Sequence, residues 1–103
     1  MITASDFCPM ERNTLKGFVT LSLEPSGIVL HDCTLHRTAD GREWIGLPGK
    51  PQIDIDGRQR RDPVTGKPLY TAVVEVVGRE ARDRFQEAAL AAVHRLLDAE
   101  AAR

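Results

Sequence analysis

The chain has 103 residues and 11.4 kDa, with 14 Lys and Arg against 15 Asp and Glu, 42% hydrophobic and 28% charged. These values fit one globular domain and exclude a disordered chain or a long coiled coil. No apolar run nears the ~18–20 residues of a membrane span, and no basic-then-apolar leader opens the chain. Two cysteines, Cys8 and Cys33, are too few for a disulfide scaffold, so reduced thiols, a cytoplasmic location and no membrane partner are expected. A net charge of −1 argues against coating nucleic acid by bulk charge and leaves only a local basic patch.

Residues 1–14 hold Pro9 and no sustained period, which reads as an N-terminal arm or short strand. From Leu15 the pattern alternates: Leu15, Gly17, Val19, Leu21 and Leu23 on one face, Lys16, Thr20 and Ser22 on the other. Phe18 interrupts the polar face, implying that this side is also partly covered. Glu24-Pro25-Ser26-Gly27 is a turn. A second strand over 28–36 places Val29, His31, Cys33 and Leu35 on one face. Asp40-Gly41 signals a hairpin, and residues 43–47 form a third strand stopped by Pro48.

Residues 48–68 differ in kind, holding four of the six prolines and the run Arg58-Gln59-Arg60-Arg61. They read as a long basic loop, with a brief strand and turn at residues 53–57. Residues 69–77, β-branched and nearly all apolar, predict the strongest strand of the chain, central or covered on both faces. Beyond Gly78 the period becomes helical over 79–100, with Ala81, Phe85, Ala88, Ala92, Leu96 and Ala99 along a stripe widened by Ala89 and Val93. Phe85, the single aromatic of that stripe, is expected to anchor helix to sheet. The expected fold is α+β, one domain over 1–103: an antiparallel sheet of four to five strands with one long C-terminal helix packed on or beside it. With only five aromatics the core is thin, and association into a homodimer would supply further apolar burial.

Three blocks also carry a family likeness: Gly17-Phe18-Val19-Thr20-Leu21, Ile28-Val29-Leu30-His31-Asp32-Cys33, and Trp44-Ile45-Gly46-Leu47-Pro48-Gly49-Lys50. In their order and spacing these resemble the SpoVG family of small bacterial proteins with roles in sporulation and septation. The resemblance covers residues 15–51, and the last strand and helix by order and type. It implies a curved antiparallel sheet with a C-terminal helix, a homodimer, and nucleic-acid binding in gene regulation. The chain departs from the family's pattern by its insertion at 51–68 and by lacking a His-Pro in the strand that follows.

The candidate binding residues are Lys50, Arg58, Arg60, Arg61 and Lys67, with Tyr70 immediately after them. Clustered cations on a surface segment suit phosphate contacts, and an exposed Tyr70 could stack on an unpaired base. Trp44 is expected to pack under the helix instead. The partner would be DNA, of either strand type, or RNA. A single-stranded-DNA binder of the transcription-coactivator type has a similar element order, and a protein-interaction module is the alternative from another class. His31, Cys33 and His36 cannot converge on a regular strand and make no metal site. Asp54 and Asp56 open like a calcium loop that no glutamate closes, and Gly66-Lys67 lacks the rest of a phosphate-binding loop. With no nucleophile–base pair and no cofactor fingerprint, the expectation is a protein without catalysis and without a cofactor.

Overall fold

The computed structural model describes residues 1–102. Four strands, β1 (Ile2–Arg12), β2 (Leu15–Leu23), β3 (Ile28–Arg37) and β4 (Glu43–Gly46), form one antiparallel sheet in chain order. Two short strands, β5 (Gly49–Pro51) and β6 (Tyr70–Ala72), make a separate antiparallel pair. A single helix, α1 (Arg79–Ala101), lies on one face of the larger sheet and packs against β1 and β4. The class is α+β, as the sequence predicts. Within residues 1–14, Ile2–Arg12 prove to be a long edge strand, where Pro9 is tolerated because an edge needs ladder hydrogen bonds on one side only.

Two bulges decide which side chains reach the core. Along β1 the register steps from Ser5↔Thr20 to Cys8↔Phe18, with Asp6 at φ 55°. The extra residue turns Phe7 toward the core, and its ring lies over Gly17, the one β2 position with no side chain in the way. Along β3 the register steps from Val19↔Cys33 to Leu21↔Leu30, with Asp32 at φ 60°. The alternation expected for this strand is therefore broken. Leu30, Cys33 and Leu35 are buried, whereas Val29 and His31 are exposed.

Val19, Leu21, Leu30, Cys33, Leu35 and Ile45 from the sheet meet Ala89, Ala92 and Val93 from α1. Small residues at the centre of the helix face let it sit close to the sheet. Phe85, expected as the anchor, is only half-buried, and Ala88 and Ala99 are exposed. The buried stripe is rotated toward Ala89 and Val93, and Phe85 lies at its edge beside Gln86. Cys8 is exposed and Cys33 buried, and both are free thiols.

Polar side chains clamp the helix to the sheet edges. The Gln86 amide accepts a hydrogen bond from Ile45 N–H at 2.7 Å and donates to Ile45 C=O at 2.9 Å, standing in for a neighbouring strand on β4. Glu43 receives Arg37 at 2.7 Å and lies 2.8 Å from His94 Nε2, joining β3, β4 and α1. At the other edge, Arg95 donates to Ile2 C=O.

The expected strand over 69–77 needs correction. Only Tyr70–Ala72 is a strand, and all three residues are exposed. Its partner β5 is three residues long, and continuing the register would set residue 73 against Pro48, which has no N–H to give. Val73 N–H still reaches Pro48 C=O at 3.4 Å, and the ladder ends there.

Candidate nucleic-acid interface

The segment expected as a long basic loop folds into an ordered arm. Its first turn is built on Asp54, whose Oδ1 accepts the N–H groups of Asp56 and Arg58, both at 2.9 Å. The second is built on Asp62, whose Oδ1 accepts the N–H groups of Val64 and Thr65. Both are the short-range carboxylate turns that Asp forms readily. The calcium-like start at Asp54 is thus a turn whose carboxylate already serves the backbone.

Between the turns the chain closes on itself. Gln52 N–H donates to Leu69 C=O, Leu69 N–H to Arg60 C=O, and Arg60 N–H to Gln52 C=O, at 2.8–2.9 Å. This ring of three backbone bonds ties the two turns to the root of the arm at β5 and β6. Isolated bridges Ile53↔Gln59 and Arg61↔Pro68 extend it on either side. Among the described residues, neither β5 nor β6 makes extensive contact with the larger sheet or the helix.

All six sequence-derived candidates lie on this arm and are exposed: Lys50 on β5, Arg58 and Arg60 on the first hairpin, Arg61 and Lys67 on the second, Tyr70 on β6. Arg61 donates to Gly66 C=O at 3.0 Å, which braces the second turn and fixes its guanidinium. Among the described residues none of the five cations is ion-paired; the salt bridges lie on the sheet and helix. Tyr70 is 58% exposed. The arm thus presents exposed cations, Arg61 braced in place among them, in excess of its three Asp, together with an open aromatic ring, the chemistry of a phosphate-contacting surface.

A second cluster on the sheet face away from the helix was not among the candidates. Trp44 lies there, not under the helix: its neighbour Ile45 takes the inward position, and the alternation of the strand sends Trp44 outward. Its ring stacks on His36, directly opposite in register, with centroids 5.2 Å apart and planes 4° from parallel. Thr14 Oγ1 lies 3.0 Å from His36 Nδ1, and Thr34 Oγ1 lies 2.9 Å from Nε2, so both ring nitrogens are held. Burial lowers the His36 pKa, which favours the neutral ring. Phe18, the residue that interrupts the polar pattern of β2, sits on the same face opposite Thr34. That interruption was the available signal for an aromatic surface on this side.

His31, Cys33 and His36 do not converge: Cys33 is buried in the core, His31 is exposed, and His36 is held by the two threonines. Burial, reinforced by the Asp32 charge, pushes the Cys33 thiol up to about 11. Among the described residues no group of three or more His, Cys, Asp or Glu is arranged to hold a metal, and no helix is long and apolar enough to cross a membrane. Compared with family models, curated proteins and solved structures, the chain finds no match.

Proposed function

We propose that this protein is a non-catalytic nucleic-acid-binding regulator of the SpoVG-like kind, acting as a homodimer and holding the phosphate backbone with its basic arm. The observation that carries the reading is the arm itself: five cations, none of them ion-paired among the described residues, on an extension from which no described residue joins the core cluster. Ordering matters, because a backbone already tied by its own hydrogen bonds loses less entropy when its side chains meet a phosphate. Affinity from such contacts is mainly sequence-independent and salt-dependent.

The test is binding to random-sequence oligonucleotides, single- and double-stranded, followed by fluorescence anisotropy across a salt series. Replacing Arg58, Arg60 and Arg61 together with Gln should weaken binding about equally for all sequences. The log–log salt slope should flatten by about 0.7–0.9 for each phosphate the variant no longer neutralises. Undiminished binding and slope in a folded triple variant would remove the arm from the interface. No binding at low salt by the unaltered protein would replace this reading with that of a protein-interaction module.

The stacked Trp44–His36 pair and the exposed Tyr70 favour single strands over duplex, since unpaired bases offer faces that a duplex hides. A preference for double-stranded oligonucleotides, unchanged by Trp44→Ala, would count against that refinement.

A further inference from the structure

The two hairpins of the arm are built alike. In the first, Gly57 N–H donates to Asp54 C=O at 3.0 Å, so Ile55 and Asp56 form the tip. In the second, Gly66 N–H donates to Asp62 C=O at 2.8 Å, so Pro63, Val64 and Thr65 form it. Each opening aspartate also gives a carboxylate oxygen to two backbone N–H groups of its own turn. Each hairpin carries two exposed cations, Arg58 and Arg60 on one, Arg61 and Lys67 on the other. Each also holds a β-branched apolar side chain out at its tip: Ile55 is 101% exposed and Val64 90%.

The turns themselves do not call for these two residues. Asp, Pro and Gly account for the bends, with Gly57 and Gly66 at φ 79° and 73°. Neither Ile55 nor Val64 joins the core cluster. A lone exposed apolar residue needs no explanation. Here the same tip recurs on both hairpins, each time on a turn tied by its own hydrogen bonds and accompanied by cations. Cations that hold phosphates bring such tips against the bases. An apolar side chain inserted between neighbouring bases parts their stack, as architectural nucleic-acid binders do.

We propose that Ile55 and Val64 are wedges that enter between neighbouring bases of the bound strand while the arm's cations hold its phosphates. The proposal rests on the nucleic-acid reading and deepens it: binding by the arm unstacks its ligand, which phosphate contacts alone do not do. A single strand suits the wedge, because its bases are parted more cheaply than those of a paired duplex step. A lipid surface is the other partner that cations and apolar tips together can meet. Asp56, exposed beside Ile55, argues against it. An anionic headgroup layer would surround that carboxylate, whereas a strand presents its phosphates along one side. One side chain per tip also matches one base step, while interfacial anchoring scales with a wide buried apolar area.

The test uses an adenine-rich single-stranded oligonucleotide carrying 2-aminopurine at several positions, a base whose fluorescence is quenched by stacking. Anisotropy reads binding and its salt slope; the fluorescence reads unstacking. The unaltered protein should bind with a rise in 2-aminopurine fluorescence. Ile55→Ser with Val64→Ser alters only exposed side chains and should leave circular dichroism unchanged. This double variant should lose the rise and bind about tenfold more weakly, the scale of one or two lost apolar contacts. Its salt slope should be unaltered, because no charge has been removed. Val77→Ser, at an 82% exposed apolar residue outside the arm, should keep both the rise and the affinity. Binding without a rise, or a rise that survives the double variant or is lost equally in Val77→Ser, overturns the wedge and leaves the basic arm standing. Co-sedimentation with phosphatidylserine–phosphatidylcholine vesicles that depends on Ile55 and Val64, without any rise, overturns it and assigns the tips to a lipid surface. No binding at low salt by the unaltered protein overturns the nucleic-acid reading and the wedge with it.

Discussion

Gln86 makes the outer backbone edge of β4 behave as though it were paired, and removing its amide should be costly. In Gln86→Leu the side chain keeps its approximate size while Ile45 loses partners at 2.7 and 2.9 Å. Ile45 is 3% exposed, so water can replace those partners only if the strand moves. Two hydrogen bonds at a net ~1 kcal/mol each predict a loss of about 2 kcal/mol. For a domain of this length that lowers Tm by about 8–16 °C. Gln86→Glu sharpens the test. At neutral pH the carboxylate can still accept from Ile45 N–H, but it faces Ile45 C=O with no proton to donate, so the variant should be at least as unstable as Gln86→Leu. Below the carboxyl pKa a protonated Glu again offers one donor and one acceptor, and stability should return toward that of the unaltered protein at the same pH. Urea unfolding of the three proteins at neutral and acid pH measures this. An unchanged midpoint for Gln86→Leu, or no relative recovery of Gln86→Glu in acid, would refute the strand-mimic account.

Gly17→Ala places a methyl group 2.5 Å from the Phe7 ring and 2.8 Å from Cys8 C=O, and one of these is backbone. A melt should show a loss of about 1–3 kcal/mol, the usual cost of overpacking. In the native protein a thiol reagent should modify exposed Cys8 rapidly and leave Cys33 untouched, since Cys33 is fully buried with its pKa raised to about 11; unfolding should bring the count to two. Acid should destabilise the fold through two groups. His36 has its pKa lowered by burial, so its contribution is complete above the unfolded value of about 6.5 and is lost as pH falls below it. Burial pushes the Glu43 carboxyl up, but the hydrogen bonds and charges of Arg37 and His94 outweigh it and hold its pKa down, so that contribution fades lower, through the carboxylate range. Thermal melts should fall on acidification with the first decline near pH ~6, and His36→Gln should remove that first decline.

The sequence alone determines the order of β2, β3, β4 and α1, the helix from Arg79 and the two-residue alternation of β2, because local periodicity and turn chemistry need no distant partner. The basic cluster is legible for the same reason: charge on a Pro- and Gly-rich segment is a local property. Whether that segment is ordered was decided elsewhere, in the backbone bonds among Gln52, Arg60 and Leu69, three residues far apart in the chain. The faces of β1 and β3 depend on single-residue bulges at Asp6 and Asp32, which shift every later side chain and leave no mark in composition. Trp44 and Ile45 are both apolar neighbours on one strand, and only the position of α1 decides which of them is covered. Residues 69–77 show the limit most plainly. Their strand propensity is a statement about what they could pair with, and Pro48 and a three-residue β5 leave most of them without a partner in their own chain. Pairing is a property of two segments, so one segment's sequence cannot settle it.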